Sequence, residues 1–200
     1  MDKPYSPAVD RNKVPIFEVL KDYVMEEGNR LLEIGSGTGQ HAVFFAEKFP
    51  GLTWVTTDVK ENHAGIKEWI NEVNLKNIKG PEELKIGVDD FPKKPFDYVF
   101  TANTLHIMSW KEGKTLFKLL GKRLREGSLT FFYGPFNRGG EYTSESNEEF
   151  DRSLKARDPR SGIRNFEDVV KAMESFGFKL LKDHEMPSNN RLLVFERLSK

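Results

Sequence analysis

A few side chains in this sequence are spaced as if to act on one ligand. Glu33 stands two residues ahead of three glycines, Gly35, Gly37 and Gly39, and Asp58 follows 19 positions beyond the last of them. Asp89, Asp90 and Phe91 form an acid–aromatic cluster, and Asn103 and His106 lie in a short polar run. Glycines let a backbone approach a ligand closely, and a helix starting behind them offers N–H donors with no partner inside the helix. An acid about 20 residues beyond such a turn suits the vicinal diol of a ribose. An acid beside an aromatic suits an adenine: the carboxylate takes the exocyclic amine and the ring packs on the π-face. His106 is the histidine best placed to move a proton near neutral pH.

The order of the glycines decides which nucleotide is meant. A dinucleotide site uses G-x-G-x-x-G and seats a pyrophosphate on the helix dipole. Here the third glycine comes one place early, and Gln40 stands where that pattern has Gly. Glu33 would repel a pyrophosphate, whereas it would accept a hydrogen bond from an amino acid's ammonium group. The run Glu33-Ile34-Gly35-Ser36-Gly37-Thr38-Gly39 therefore resembles motif I of the class I S-adenosylmethionine-dependent methyltransferases.

These residues need elements to hold them. Leu31 to Ile34 reads as a buried strand, and Ala42 to Phe49 as a mostly buried helix ending at Pro50-Gly51. Ahead of them, a helix over about 9–26 carries Ile16, Val19, Leu20, Tyr23 and Val24 as its stripe, with Pro15 in its first turn. The polar run Asp10 to Lys13 before that stripe is either a solvated cap or a reach toward ligand. Leu52 to Asp58 reads as a second strand, Asn62 to Leu75 as a helix, and Leu84 to Val88 as a third strand by its alternation. Pro95 to Ala102 is the fourth strand, Lys111 to Arg125 a helix, and Ser128 to Tyr133 the fifth strand. Polar groups just past the fourth strand sit where α/β folds bind ligands.

From Asn137 to about Asn165 the chain is polar with little periodicity, which reads as a lid over the substrate or as a surface insertion. Phe166 to Phe176 gives a last helix, and Phe178 to Asp183 with Leu192 to Arg197 gives a terminal hairpin. About seven strands and six helices result. The expected fold is a three-layer α/β/α Rossmann-like sheet of seven strands, mostly parallel with an antiparallel last strand, in a single domain over 1–200.

Composition sets limits. Lys+Arg and Asp+Glu are both 31, so overall charge gives no argument for a nucleic-acid or membrane partner. There is no cysteine, hence no disulfide, thiolate nucleophile or Cys-based metal site. Mean hydropathy of −0.58 and the absence of an apolar leader in Met1 to Tyr5 lead to a cytoplasmic expectation.

Several segments together resemble a narrower group, the methyltransferase-like protein 26 family, long filed as a domain of unknown function. They are Asp10-Arg11-Asn12-Lys13, the glycine run through Gln40-His41, Asn103-Thr104-Leu105-His106-Ile107 with Trp110, and Tyr133-Gly134-Pro135-Phe136. Ser146-Asn147 with Phe150-Asp151, Arg157-Asp158-Pro159 with Gly162-Ile163-Arg164, and Met186-Pro187 with Asn189-Asn190 complete the set. The resemblance implies a protein that binds S-adenosyl-L-methionine and releases S-adenosyl-L-homocysteine.

The expected cofactor set is Glu33, Gly35, Ser36, Gly37, Gly39, Gln40, His41, Asp58, Val59, Asp89, Asp90, Phe91 and Asn103, with Glu33 reaching the ammonium directly or through water. His106 is the expected base if the acceptor needs deprotonation, with a purely structural histidine as the alternative. Asn12, Trp110, Tyr133, Phe136, Asn147, Arg164 and Asn190 are the expected acceptor pocket, Arg164 suiting a carboxylate or phosphate. No metal is expected. The partner is a small-molecule acceptor methylated at O or N, and the protein is a monomer or a homodimer. The rivals are a non-catalytic scaffold that keeps the cofactor pocket and an NAD-type oxidoreductase, the latter disfavoured by Glu33 and the glycine order.

Overall fold

The computed structural model describes residues 3–199; Met1, Asp2 and Lys200, at the ends of the expected domain, lie outside the described residues. The chain divides into two compact units between Phe100 and Thr101.

In the first unit, α1 runs Pro7–Leu20 and buries Val9, Asn12, Ile16 and Leu20, one face at helical spacing. It starts earlier and stops sooner than the sequence predicts. Pro7 takes the first-turn position, where a missing N–H costs nothing, and Pro15 falls inside the helix rather than at its start. Then come β1 (Arg30–Ile34), α2 (Gln40–Lys48), β2 (Thr53–Asp58), a 3-10 turn at Lys60–Asn62, α3 (His63–Glu72), β3 (Ile78–Glu83) and β4 (Tyr98–Ala102). The strand order is β3-β2-β1-β4. Each of these pairs is parallel, Leu31 lying opposite both Trp54 and Tyr98. Parallel neighbours require crossovers, which α2 and α3 supply. The core stacks Phe45 between Trp54 and Phe100, with ring centroids 5.3 and 5.4 Å apart.

The third strand is not where alternation placed it. Leu84 and Ile86 are buried, but they sit in a turn closed by Val88 and Asp89 N–H groups on the Lys85 carbonyl. The strand itself, Ile78–Glu83, contains a single buried apolar residue, Ile78, because it lies at the sheet's edge.

The second unit holds α4 (Trp110–Arg123), β5 (Leu129–Asn137), α5 (Glu145–Arg157), β6 (Arg164–Asn165), α6 (Phe166–Ser175), β7 (Phe178–Met186) and β8 (Asn190–Arg197). Ser109 and Glu112 form a reciprocal capping box at the start of α4. β8 is antiparallel to both β5 and β7, and the two-residue β6 pairs parallel with the end of β5. The β7–β8 hairpin is longer than expected. Its connection is Pro187 to Asn189, in which Ser188 and Asn189 both have positive φ, the conformation that follows strand twist in a tight hairpin turn. The fold is thus a Rossmann-like α/β architecture with six α-helices, mostly parallel strands and antiparallel pairing near the end.

The polar stretch after β5 contains α5, thirteen residues long and capped by the Ser144 hydroxyl on Asn147 N–H. Its buried face is Asn147, Asp151 and Leu154. Two of those three are polar, so hydrophobic periodicity hides the helix.

Behind the sheet edge, the buried Arg197 guanidinium donates to the carbonyls of Gly121, Gly177 and Leu198. It joins the end of α4 to the turn after α6. At that junction a Cβ on Gly121 would lie 2.5 Å from the Phe176 carbonyl oxygen. Alanine is the better helix former by about 1 kcal/mol. Gly121→Ala should nonetheless destabilise the fold by about 1–3 kcal/mol through overpacking. Chemical denaturation reads the sign directly, and a stabilised variant would show that α4 and α6 can move apart freely.

Candidate functional site

The glycine turn of the first unit is a left-handed elbow: Gly35, Gly37 and Gly39 have φ of 72°, 58° and 91°. Residues with a Cβ are strained there, which is why the turn needs glycine. Gly35 and Ser36 N–H groups donate to the Thr57 carbonyl at 3.0 Å, fastening the elbow to β2. A Cβ on Gly39 would lie 3.1 Å from Ile66 Cα, so the third glycine lets α3 pack against the start of α2. Gly37 is exposed and has open space where a side chain would stand, leaving its backbone accessible.

Asp58 closes the elbow from beneath. Its Oδ2 accepts the Gly37 N–H at 2.6 Å, and its Oδ1 accepts Val59 N–H at 2.7 Å and Asn62 Nδ2 at 2.9 Å. The structure thus brings together the glycines, Asp58 and Val59. Two further residues join them that sequence reasoning missed. Asn62 holds the carboxylate, and the buried His63 places Nε2 3.1 Å from the Asp58 carbonyl oxygen. Their signal was position: they end the turn and open the helix immediately after the acid.

Glu33 is an interior group, 2% exposed. Its Oε2 accepts Ser36 Oγ at 2.9 Å and Trp54 Nε1 at 3.0 Å, tying β1 to the elbow and to β2. Burial pushes its carboxyl up to about 7, with the two hydrogen bonds pulling the other way.

Gln40 and His41 face inward to α1 and its lead-in. His41 Nε2 meets Asn12 Oδ1 at 2.7 Å, both residues buried, and its ring stacks on Phe45 and stands edge-on to Phe100. Burial pushes this imidazole down to about 3, so it is neutral and donates through Nε2. Asn12, expected at the acceptor, is therefore placed with His41 on the buried face of α1. Gln40 Oε1 accepts Ser6 N–H at 2.6 Å and Thr38 Oγ1 at 3.0 Å. The lead-in is further held where Trp69 Nε1 donates to the Pro4 carbonyl at 2.7 Å, with the Lys3 ammonium 3.6 Å above the same indole.

Leu84 N–H donates to the Asp58 carbonyl at 3.0 Å, so the segment bearing Asp89 to Phe91 begins beside the elbow's acid. Within it, Asp89 accepts Lys85 N–H at 2.7 Å, Asp90 is exposed, and Phe91 lies in the core.

In the second unit, Asn103 adopts a left-handed backbone, φ 58°, just past β4, with its N–H on the Tyr133 carbonyl at 2.9 Å. A Cβ on Gly134 would lie 3.6 Å from His106 Nδ1 and 3.7 Å from Asn103 Oδ1, so these three residues converge. His106 is 4% exposed and meets Phe150 edge-on at 5.1 Å. Burial first, then the Arg164 and Arg157 charges, push its imidazole down to about 4, leaving it neutral at pH 7.

The acid that organises this unit, Asp151, was named in a motif but not assigned a role. It is 1% exposed and accepts Tyr142 Oη at 2.7 Å, Lys155 Nζ at 2.6 Å and Ile163 N–H at 2.6 Å. Burial works against its charge, yet those donors hold its carboxyl below the usual range. Gly162 passes so close that a Cβ would lie 2.8 Å from Asp151 Oδ1, and its N–H donates to the His106 carbonyl at 2.8 Å.

The expected acceptor residues of this unit separate. Phe136 and Asn190 line a cavity of about 360 Å³ that also holds Thr143 and Asn189. Asn147 is buried with its Nδ2 2.8 Å from Thr143 Oγ1. Asn190 closes its own hairpin turn, donating to the Pro187 carbonyl at 3.0 Å. Trp110 and Arg164 line a different cleft of about 220 Å³, and Tyr133 is buried. Among the described residues no cluster of His, Asp or Glu is arranged to hold a metal ion.

Known structures share this architecture. The chain is similar to the S-adenosylmethionine-dependent methyltransferase SibL in its apo form, with a TM-score of 0.77 and 20% identity over 92% of this chain and 54% of that one. It is similar to human N-acetylserotonin methyltransferase in complex with S-adenosylmethionine (0.74, 14%, 85% and 48%). A third similar structure is an O-methyltransferase family 2 protein from Planctomyces limnophilus DSM 3776 with apigenin (0.77, 16%, 88% and 52%). At these identities the likeness is one of fold, and this chain spans about half the length of each of those proteins. Its own family is set by a match over residues 3–197, by which the chain belongs to DUF938, described as a protein of unknown function.

Proposed function

We propose that this chain is an S-adenosylmethionine-dependent methyltransferase acting on a small molecule, at an oxygen or a nitrogen. The observation that carries the reading is the elbow with its acid: an accessible glycine backbone 2.6 Å from a carboxylate, at the ends of adjacent parallel strands. A carboxylate offers about four acceptor positions, and Asp58 spends three on the protein. The remainder, with the Gly37 donor it can exchange, suits a ribose diol. The Asp58 carboxylate beneath the turn favours a ligand carrying positive charge over a pyrophosphate, and its charge adds to the burial that holds a proton on Glu33. Gly35, Ser36, Gly37, Gly39 and Asp58 would hold the cofactor, with Asp89, Asp90 and Phe91 toward its base. When bound, the cofactor supplies a methyl group already activated on a sulfonium, so positioning of the acceptor is the protein's main task.

Asn103 would line the sulfonium end of the cofactor, and His106 is the group we assign to the acceptor. A neutral imidazole accepts a proton, but one whose conjugate acid lies near 4 is a weak base. That matches an acceptor whose own proton is acidic, such as a carboxylic acid. The stretch over 137–165 is read as a lid, latched by Asp151. The resemblance to the methyltransferase-like protein 26 family is the finer assignment, and a cytoplasmic enzyme of one domain is the form it takes. No helix among the described residues is long and apolar enough to cross a membrane.

Asp58→Ala should weaken S-adenosylhomocysteine binding by more than about tenfold in calorimetry, the loss of a charge-assisted contact. Unchanged affinity would remove Asp58 from the site. With an acceptor found by screening phenols, carboxylates and amines, His106→Ala should cut turnover by about 10²-fold while S-adenosylhomocysteine affinity stays nearly intact; equal turnover would end its role as base.

Glu33 gives a third expectation. Its folded carboxyl holds a proton up to about 7, against an ordinary value of 4.5, so stability present below 4.5 is lost as pH rises through 7. Glu33→Gln keeps an acceptor for Ser36 and Trp54 without titrating. Its stability relative to the parent should therefore rise by up to about 3 kcal/mol between pH 5 and pH 8. Thermal melts showing a constant gap across that range would contradict it.

A further inference from the structure

Among the described residues of the second unit, Arg164 is a half-buried cation whose surroundings leave it short of partners. One terminal nitrogen donates to the carbonyls of Met108 and Arg160, which fixes the plane of the guanidinium. Its Nε is buried and has no hydrogen-bond partner. It forms no ion pair among the described residues, and the Asp151 charge acts on it only through space. Burial pushes its pKa down, the mark of a charge that lacks compensation. Charged groups taken out of water are ordinarily paired, so an oriented and unpaired guanidinium in a cleft calls for an anion from outside the chain.

The cleft indicates which anion. Its volume is about 220 Å³ and its walls are Trp110, Ile163, Arg164, Asn165 and Asp168. Trp110 and Ile163 give it a flat aromatic side and an aliphatic one, suited to a single ring. Asp168 is exposed and hydrogen-bonded to Asn165 Nδ2 at 3.2 Å, so the cleft holds one fixed cation and one acid. A dianionic phosphate would be left under-neutralised there, whereas a planar monoanion is matched by one guanidinium.

We infer that the Trp110–Arg164 cleft binds an aryl carboxylate and, resting on the methyltransferase reading above, that it holds the acid group of the acceptor. Benzoate, benzamide and phenyl phosphate titrated separately into the full chain, followed by protein NMR or calorimetry, test this. Benzoate should bind more tightly than benzamide by at least about tenfold, as expected for one charge-assisted hydrogen-bond pair. Phenyl phosphate should bind more weakly than benzoate. Arg164→Gln should make benzoate and benzamide equal. Because that change also loosens the hold on Met108, Asp168→Asn provides a second arm on an exposed residue. Removing the like charge should tighten benzoate about two- to fivefold.

Equal binding of benzoate and benzamide by the parent chain overturns the inference, as does phenyl phosphate binding more tightly than benzoate. An Asp168→Asn variant with unchanged benzoate affinity overturns it as well. S-adenosylhomocysteine titrated alongside separates the two readings. Its binding without benzoate discrimination removes the cleft and leaves the methyltransferase, and benzoate discrimination without its binding does the reverse.

Discussion

One hydrogen bond carries more of this structure than any other: the Gly37 N–H on the Asp58 carboxylate, 2.6 Å long. A glycine turn by itself is loose, because glycine has many conformations to lose on ordering. Here the same strand end that supplies Asp58 also supplies the Thr57 carbonyl to Gly35 and Ser36. The loop is thereby drawn onto β2 at three N–H groups before any ligand arrives. A binding loop held this way gives up little entropy on binding.

The polar groups below and behind the elbow follow one logic. Glu33, His41 and Asn12 are buried, and each is satisfied by a side chain brought from another element. Burial drives Glu33 toward its neutral form and keeps His41 neutral, so these groups bind through hydrogen bonds and spare the interior a free charge. They position the elbow by fixing β1, α1 and α2 against it. In the second unit Asp151 takes the opposite course. It stays charged because three donors converge on it, and two of them, Tyr142 and Ile163, lie in the segments flanking α5.

Much of the first unit was legible in the sequence because its information is local. The strand, glycines and helix of the elbow are contiguous, and Asp58 follows at the spacing that a second parallel strand imposes. The strands β1, β2 and β4 are buried along nearly their whole length, and their apolar residues mark them in the sequence. What was not legible depended on distant neighbours. The edge strand β3 needs no apolar pattern, so the alternation just after it looked more like a strand than the strand did. The helix α5 turns Asn147 and Asp151 inward to partners many residues away, and its periodicity vanished with them. Asn12, expected from the sequence at the acceptor pocket, meets His41 instead, a partner 29 residues away. Of the acceptor residues read from the sequence as one pocket, Phe136 and Asn190 line one cavity and Trp110 and Arg164 another, while Asn12, Tyr133 and Asn147 are buried, since a motif records that residues matter and not which of them meet.

Residues 3–6, just ahead of α1, have a significance their distance from the elbow in sequence conceals. Ser6 N–H holds the side chain of Gln40, the first residue of α2, while Pro4 and Lys3 lie against Trp69. This lead-in is therefore a structural member of the elbow, and loosening it loosens the start of the helix that the glycines introduce. A substitution at Pro4 or Ser6 would burden the ligand loop first, however remote from it these residues look in the linear map.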